Sequence, residues 1–437
     1  VDVKNTVVVG FSAHDHEFFA GGMSMGRAMK DSGIDYIGAI PIDWDVIKLK
    51  YLMECLDGQR RPVDSALRTS GIYPYWGAGG IQDYVDDYLF DEDLVLLGED
   101  GAPFFDPYRP VAFAVSGKVW VNNHIHVLRC VADFNRIFMV YGLNSVDYRL
   151  FINGSILNKL TQGNMREIVL CSPPLSEQNR IVDFLNEKCT KIDSIIEKTR
   201  AFIKEYKRLK QVVITQAVTK GVRGGRSMKN SGIAWIGEIP AEWGIYRVAN
   251  LYEERNEPGS DELPVLMVSI HSGVSDDEVK DEDRTRKALQ SEDKSKYKRV
   301  YPGDLVYNMM RAWQGAFGAV RVDGLVSPAY VVAKPKVPLD TRYIEALFRT
   351  PSAIEEMRRY SYGITDFRLR LYWQYFKNIR FCLPDIEEQK EIASYIDDKC
   401  AEIDALITKK EQLLTELENY KKSLIYEYVT GKKEVPS

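Results

Sequence analysis

The chain has 437 residues, of which 45% are hydrophobic, and a formal net charge of −5 at pH 7. This length predicts two to four domains with substantial cores, and the acidic balance argues against a free-standing, non-specific nucleic-acid binder. The sequence contains no apolar run of about 18 residues, so no membrane span is predicted. The six cysteines lack CxxC spacing, which favours buried free thiols in a cytoplasmic protein over disulfides or zinc.

The first 24 residues have no counterpart elsewhere in the chain. The apolar run Val7–Phe11 is too short for a signal-peptide core, and the acidic Asp2 and Glu17 are unsuitable neighbours for one. We interpret residues 1–24 as a leader or a remnant of the expression vector.

Two blocks of sequence each occur twice. Met29–Trp44 recurs as Met228–Trp243 at an offset of 199 residues, and Cys171–Ile181 recurs as Cys382–Ile392 at an offset of 211 residues. The chain therefore carries two copies of one unit, which favours a target with two related halves.

Residues 30–170 and 229–380 share a pattern that is typical of twisted sheets with long loops. Short β-branched and aromatic runs, such as Val119–Val127 and Arg299–Tyr307, are interrupted by Gly, Pro, Asn and Asp. Each of these segments is predicted to form a globular α+β domain.

Segments 177–217 and 388–428 show heptad periodicity and predict two long helices of a coiled coil. A helix of about 41 residues is roughly 60 Å long at 1.5 Å per residue. The predicted seams of the first helix are Leu185, Ile192, Thr199, Tyr206 and Val213, and Ile181, Ile195, Phe202 and Leu209. Those of the second helix are Ile396, Ile403, Leu417 and Leu424, and Ile392, Leu406, Leu413 and Tyr420.

The ends of both helices are marked in the sequence. Pro174 suits a first helical position, and Asp385 followed by Glu388 predicts a capping box. Gly221 and Gly431 are predicted to terminate the helices. The segment that begins at Gly221 lacks the Lys-Ser/Thr of a phosphate-binding loop and is interpreted as a flexible linker.

The charges of the two helical regions are complementary. Residues 187–229 hold 12 Lys/Arg against 4 Asp/Glu, whereas residues 387–433 hold 8 against 11. Opposite charge favours pairing of the two helices with each other. The alternative is that each helix packs on a different partner protein.

We therefore predict an α+β fold in which two globular domains alternate with two long helices that pair as an antiparallel coiled coil, with an internal pseudo-twofold repeat. The predicted globular domains are residues 25–172 and 223–382. The predicted long helices are residues 173–222 and 383–437.

The repeated blocks, together with Val121–Leu128, Pro302–Asn308 and Val326–Tyr330, resemble the specificity (S) subunits of type I restriction-modification systems. The resemblance covers residues 25–437. Each block alone is a weak signal, but shared blocks that recur in the same order are specific as a set.

The resemblance implies that residues 25–172 and 223–382 are target recognition domains, each of which reads one half of a split, asymmetric DNA site. The helix pair would fix their spacing and dock two methyltransferase (M) subunits, and two restriction/translocase (R) subunits would complete a complex that defends against foreign DNA. The resemblance also implies a non-catalytic chain without its own cofactor. S-adenosylmethionine would bind the M subunits, and ATP and Mg the R subunits.

In the first domain, Tyr75 and Trp76 lie in a predicted aromatic, Gly-rich loop that suits close approach to DNA. The alternative is a packed turn. Asn122, Asn123 and His124 offer donors and acceptors for base edges or phosphates.

Arg149 is a further candidate for a phosphate or guanine contact. His124 and His126 are expected on one face of a strand, where a metal pair is possible, but they are expected to have no carboxylate or cysteine partner nearby. Structural histidines are therefore favoured over a metal pair, and no metal site is predicted.

In the second domain, Arg311 suits guanine, Gln314 suits adenine, and Trp313 lies between them. The further candidates are Ser327, Tyr330, Arg368 and Arg370.

Two alternatives of other classes were weighed. A self-contained methyltransferase-nuclease would need a methyl-donor motif and a nuclease core. Ser172–Leu175 lacks the aromatic ring of an adenine methyltransferase motif, and the carboxylates of Pro384–Lys390 fall within a single helix start. No catalytic residue is predicted. A coiled-coil scaffold without a DNA role is the other alternative.

Overall fold

The structure is a computed structural model that describes residues 27–106, 108–131, 134–152, 158–260, 262–276, 294–363 and 369–436. The predicted leader, residues 1–24, lies outside the described residues. The chain divides into two units. Unit 1 comprises the described residues up to 198 together with those from 413 onward, and unit 2 comprises residues 199–412.

Unit 1 opens with a hairpin, and its third strand pairs antiparallel with its last strand. Its strands are β1 Met29–Asp31, β2 Ala39–Pro41, β3 Asp45–Lys48, β4 Met53–Cys55, β5 Ser70–Gly77, β6 Gly80–Val85, β7 Phe90–Asp91, β8 Leu94–Gly98, β9 Ala112–Val115, β10 Lys118–Val121, β11 Ile125–Cys130 and β12 Val169–Ser172. Its short helices are α1 Leu49–Leu52, α2 Arg136–Leu143 and α3 Gln162–Arg166.

Two four-stranded sheets form the body of unit 1, with strand orders β6-β5-β10-β7 and β4-β11-β8-β9. Strand β8 is buried on both faces: Val95 and Leu97 enter one core cluster, and Leu94 and Leu96 enter another. This alternation explains the uninterrupted apolar run, because successive side chains of a strand point to opposite faces.

A long helix, α4, spans Leu175–Lys220 and contributes residues to both units. The strands of unit 2 are β13 Met228–Asn230, β14 Glu238–Pro240, β15 Gly244–Arg247, β16 Tyr252–Arg255, β17 Val268–Ser269, β18 Gly273–Val274, β19 Lys298–Val300, β20 Leu305–Asn308, β21 Phe317–Ala319, β22 Gly324–Val326, β23 Tyr330–Pro335 and β24 Arg380–Leu383. Its short helices are α5 Val248–Leu251, α6 Thr341–Phe348, α7 Pro351–Arg359 and α8 Trp373–Phe376. The second long helix, α9, spans Ile386–Val429.

Unit 2 repeats part of the topology of unit 1, although the sheet β6-β5-β10-β7 has no four-stranded counterpart among the described residues of unit 2. It has the same opening hairpin and the same pairing of its third and last strands, here β15 with β24. Its sheet order β16-β23-β20-β21 matches β4-β11-β8-β9 strand for strand. The internal repeat and the alternation of α+β segments with long helices are therefore confirmed.

Both long helices end as predicted, at glycines with left-handed φ angles. Gly221 has φ 71° after α4, and Gly431 has φ 70° after α9, a conformation that suits a helix C-terminus. Within the described residues, no helix combines the length and the apolar character that crossing a membrane requires.

The long helices pair antiparallel within each unit. In unit 2, Lys210 lies 2.6 Å from Asp404 and Lys207 lies 3.6 Å from Glu411. In unit 1, Lys421 lies 2.7 Å from Asp193. The basic helix thus pairs with the acidic one, as its charge predicted.

One predicted seam of α4 is wrong. Leu185 and Ile192 are buried as expected, but Ile195, Phe202 and Leu209 are exposed. The buried positions lie one residue later, at Ile196 and Ile203. The phase was extrapolated from Ile181, which instead belongs to a core cluster with Trp44 and Phe138 of the globular part. Leu406 of α9 is likewise exposed.

The repeated Glu-Gln pair at the start of each long helix holds that helix to its own unit. In unit 1 the Glu177 carboxylate accepts from Trp44 Nε1 at 2.9 Å and from Arg27 at 2.5 Å. In unit 2 Glu388 accepts from Trp243 Nε1 at 3.2 Å and from Arg226.

The predicted capping box at the start of α9 forms only in part. Asp385 accepts from the Glu388 N–H at 2.8 Å, as expected. The Glu388 carboxylate turns away to Trp243 and Arg226, because a buried indole and a guanidinium are the donors within its reach. The predicted flexible linker is also tied to this helix start, since Arg223 lies 2.7 Å from Glu391.

The glutamine of each pair anchors a second helix. Gln178 accepts from Asn135 N at 2.7 Å, and Asn135 caps α2. Gln389 accepts from Asp340 N at 3.0 Å, and Asp340 caps α6. The Glu-Gln motif is therefore explained by packing and capping.

Candidate nucleic-acid interface

Three chain segments of unit 2 meet where β20 ends and β23 begins. Asn308 pairs with Tyr330 across these antiparallel strands. Met309 N donates to Ala329 O at 3.4 Å, and Leu371 N donates to Met309 O at 2.9 Å. Residues 308–314, 327–330, 362–363 and 369–371 therefore form one surface, called here the loop edge of unit 2.

The loop edge of unit 2 contains most of the candidates predicted for the second domain. Arg311 and Gln314 are exposed, and Trp313 is half-buried with its indole donating to Met310 O at 2.9 Å. Burial raises the pKa of the Tyr330 hydroxyl, and the nearby Arg311 guanidinium opposes that shift. Arg311 and Tyr330 are thus neighbours in space.

Two further candidates belong to the same edge, and one lies outside the described residues. Ser327 Oγ accepts from Ala329 N at 3.3 Å and shapes the turn before β23. Arg370 is exposed and exchanges main-chain hydrogen bonds of 2.9 Å with Tyr362. Arg368 is not among the described residues.

Sequence reasoning did not identify the exposed aromatic residue beside Arg370. Tyr362 is exposed and stacks on Tyr375, with ring centroids 4.1 Å apart. An exposed aromatic ring next to an arginine suits a nucleic-acid surface. The signal was present in Tyr360–Tyr362, but an exposed tyrosine cannot be told from a buried one without the fold.

The corresponding place in unit 1 is the end of β8 and the turn before β11. Glu99 N donates to His124 O at 3.0 Å, and Leu160 N donates to Glu99 O at 2.7 Å. Asp100 forms a β-bridge with Lys159. Residues 99–100, 122–124 and 158–160 are called here the loop edge of unit 1.

The three residues of the Asn122–His124 turn differ in exposure. Asn122 is buried, and its Oδ1 accepts from His124 N at 2.8 Å. Asn123 and His124 are exposed, and His124 Nδ1 contacts the Asp100 carboxylate. Asn122 therefore shapes the turn, while Asn123 and His124 face outward.

The predicted aromatic loop of the first domain is a hairpin. Tyr75 and Trp76 lie in β5, which turns into β6 at Ala78 and Gly79. Tyr75 is 1% exposed and its hydroxyl accepts from Val63 N at 3.1 Å. Trp76 is half-buried against Phe113, with ring centroids 5.3 Å apart. Aromatic residues favour strands, and here that preference prevails over the flanking glycines.

Arg149 does not join the loop edge of unit 1. Its side chain is 77% exposed and forms a bidentate pair with Asp147, at 2.8 and 2.6 Å. The pKa of Asp147 is lowered mainly by this pair, and Lys422 of α9 adds to the shift.

One cluster of unit 1 has ligand atoms close enough to hold a metal ion, and it consists of Asp57, Glu99 and His126. Basic side chains of the protein already form ion pairs with its carboxylates. Arg60 lies 2.6 Å from Glu99, and Lys159 lies 3.1 Å from it. His126 Nδ1 lies 2.7 Å from Asp57, and its Nε2 lies 2.9 Å from the carbonyl oxygen of Leu160. The cluster is an ion-pair network that supports the loop edge of unit 1.

The pKa values of the two carboxylates reflect this network. Burial alone would raise the pKa of Asp57, but the hydrogen bond from His126 and the charge of Arg60 outweigh it, so the pKa is lowered. Burial likewise opposes ionisation of Glu99, and hydrogen bonds from Arg60 and Lys159 lower its pKa. Both side chains are therefore held as carboxylates.

Comparisons with known proteins agree with this architecture. A family model for the type I restriction modification DNA specificity domain matches residues 41–205. A Haemophilus influenzae protein described as a type I restriction enzyme specificity subunit is 37% identical over 145 residues, which cover 33% of this chain and 37% of that relative. The MjaVIII specificity subunit of Methanocaldococcus jannaschii is 22% identical over 435 residues, which cover 90% of this chain and 93% of that relative.

A solved structure shows the same fold. A chain from a study of complex assembly and conformational transition of the type I restriction-modification system superposes with a TM-score of 0.62 at 15% sequence identity. The superposition covers 90% of this chain and 99% of that chain. In sequence, the chain is therefore similar to type I restriction-modification specificity subunits.

Proposed function

We propose that this chain is the sequence-specific DNA-recognition subunit of a type I restriction-modification complex, and that each unit reads one half of a split, asymmetric DNA site. The observation that carries the proposal is the loop edge, which occupies the same place in both sheets but presents different side chains in each.

The loop edge of unit 2 is cationic and aromatic. Arg311 is suited to guanine O6 and N7, and Gln314 to adenine N6 and N7. Arg370 and Ser327 lie on the same edge and are suited to phosphates. Tyr330 and Trp313 lie on the same edge, and both are half-buried.

The loop edge of unit 1 has a different chemistry. Asn123 and His124 face outward, and the Asp100 carboxylate beside His124 can accept a hydrogen bond from the amino group of cytosine. Buried Tyr75 and Asn122 hold the scaffold of this unit. Arg149 remains a predicted phosphate contact apart from the edge. Because the two edges differ, the two half-sites should differ in sequence.

We attribute the exposed apolar residues of the long helices to docking of two M subunits. Phe202, Leu209 and Val212 of α4 are all exposed, and so is Leu406 of α9. Two R subunits would complete the restriction complex, with S-adenosylmethionine on the M subunits and ATP and Mg on the R subunits.

Methylome sequencing tests the proposal. Cells that express this chain together with its M subunit should gain methylation at one bipartite motif, with two different half-sites separated by unspecified bases. Cells that express the M subunit alone are the control and should lack this methylation. A continuous motif, or no new methylation, would contradict the proposal.

A further inference from the structure

The two units match residue by residue over the segment that precedes each long helix. The offset of 211 residues that relates Cys171 to Cys382 extends back to Leu160 and Leu371, both 0% exposed. Five matched positions are buried in both units, whereas Val169 is buried and its match Arg380 is exposed. The matched buried pairs are Leu160 and Leu371, Met165 and Phe376, Ile168 and Ile379, Leu170 and Phe381, and Cys171 and Cys382.

Main-chain hydrogen bonds fix this segment at the same place in both units. Leu160 N donates to the carbonyl of Glu99, the residue after β8, and Leu371 N donates to the carbonyl of Met309, the residue after β20. Strands β8 and β20 hold the same position in their sheets. The residues just before these leucines, Lys159 and Arg370, are therefore structural equivalents.

We propose that Lys159 contacts a DNA phosphate at the loop edge of unit 1, in the position that Arg370 occupies at the loop edge of unit 2. This inference rests on the proposed function and adds a residue that sequence reasoning did not identify. Both positions carry a cation, and both residues form a β-bridge at the edge, Lys159 with Asp100 and Arg370 with Tyr362.

The surroundings of Lys159 leave its ammonium available to a phosphate. Its side chain is 48% exposed, and its Nζ lies 3.1 Å from Glu99 Oε1 and 3.9 Å from Asp100 Oδ2. Glu99 is also held by Arg60, at 2.6 Å, so this carboxylate keeps a cationic partner when Lys159 turns towards DNA. An ammonium has three donors and can retain Glu99 while it binds a phosphate oxygen.

The location of Lys159 also suits DNA contact. The Arg60 guanidinium that shares Glu99 with Lys159 lies 3.4 Å from the Asn123 carbonyl oxygen. The outward-facing Asn123 and His124 thus belong to the same edge. A cation beside base-reading side chains can fix the register of the duplex without carrying sequence information itself.

The test compares Lys159→Gln with Lys48→Gln in the full chain assembled with its M subunits. Lys48 is a matched control, because it lies in unit 1, is ion-paired with Glu167 and has a side chain that is 45% exposed. Binding is measured over a range of salt concentrations to a duplex that carries the methylated motif and to a scrambled duplex. Far-UV circular dichroism checks that each variant is folded.

Each phosphate contact contributes about 0.9 to the slope of log affinity against log salt. We expect Lys159→Gln to reduce this slope by about one and to weaken binding to both duplexes by the same factor. Lys159→Arg should retain the slope, and Lys48→Gln should leave it unchanged.

A slope for Lys159→Gln equal to that for Lys48→Gln would overturn the inference. A loss confined to the motif duplex would also overturn it, because it would indicate a base contact. If the unmodified complex does not prefer the motif duplex over the scrambled one, the proposed function itself fails, and this outcome is visible before any variant is compared.

Discussion

Glu388 is a buried carboxylate that joins three segments of unit 2. It is 1% exposed and accepts from Trp243 and Arg226 at the start of α9. We predict that Glu388→Ala destabilises the chain by about 3–5 kcal/mol, because it leaves the Trp243 indole N–H without its acceptor and the Arg226 guanidinium without its buried partner, with the exposed Glu242 remaining. Urea unfolding followed by tryptophan fluorescence measures the change.

The neighbouring residue provides the control for this prediction. Glu387 lies in the same helical turn, but its side chain is 74% exposed. Glu387→Ala should change the free energy of unfolding by less than about 0.5 kcal/mol. Equal effects of the two substitutions would show that burial of Glu388 does not stabilise the fold.

The ion-pair network of unit 1 predicts a dependence of stability on acid. The pKa of Asp57 is below its ordinary value of 3.8 and that of Glu99 is below 4.5. The folded chain therefore binds fewer protons than the unfolded chain in this range. The stabilisation is fully present above these ordinary values and is lost as the pH falls through the lowered pKa values.

Urea unfolding at decreasing pH tests this dependence. The unmodified chain should lose more of its free energy of unfolding on acidification than Asp57→Asn does, since the variant retains only Glu99 of the two carboxylates whose pKa is lowered. Asp35→Asn, at an exposed position, should behave like the unmodified chain. If Asp57→Asn loses as much stability in acid as the unmodified chain, the network does not couple to pH.

At the scale of elements, α4 buries one face and exposes a second apolar stripe. Ile196 and Ile203 are buried, whereas Phe202 is 53% exposed and Leu209 is 47% exposed. Exposed apolar residues that repeat at heptad spacing are typical of a surface that binds a partner. We predict that Phe202→Ser combined with Leu209→Ser reduces co-purification of the M subunit.

A substitution outside the long helices provides the comparison. Val337→Ser replaces another exposed apolar residue of unit 2 and should leave co-purification unchanged. If the double substitution in α4 retains the M subunit as well as Val337→Ser does, the stripe is not the docking surface.

Sequence periodicity predicted these helices well, because heptad spacing can be read from residues that are close together in the sequence. Both helix ends followed from Gly221 and Gly431, and the pairing of the helices with each other followed from charge. The phase of one seam did not, because Ile181 belongs to a core cluster that includes Trp44 and Phe138 of the globular part. Heptad spacing alone does not reveal which surface covers an apolar residue.

Residues at the loop edges were harder to predict, because loop geometry depends on contacts that are distant in sequence. Tyr75 proved to be buried in a strand, whereas Lys159 was overlooked although the 211-residue offset already relates it to Arg370. The repeat was the available signal. It becomes informative only when the sheets show that both residues occupy the same edge.

At the scale of the whole molecule, the two units share several structural elements but differ in the side chains of their loop edges. The opening hairpin, the sheet order and the Glu-Gln anchor recur in both. The side chains at the loop edges do not. Such a division suits a protein whose shared structural elements stay the same while the residues of each loop edge change independently.

The proposal that each unit recognises one half-site is tested most directly by an exchange of one recognition domain. Residues 25–170 are replaced by the corresponding segment of a type I specificity subunit with a known motif, and the methylome of cells that also express the M subunit is sequenced. We predict that one half-site changes to that of the donor, while the other half-site and the spacer length stay the same. A change in both half-sites, or in neither, would contradict the account.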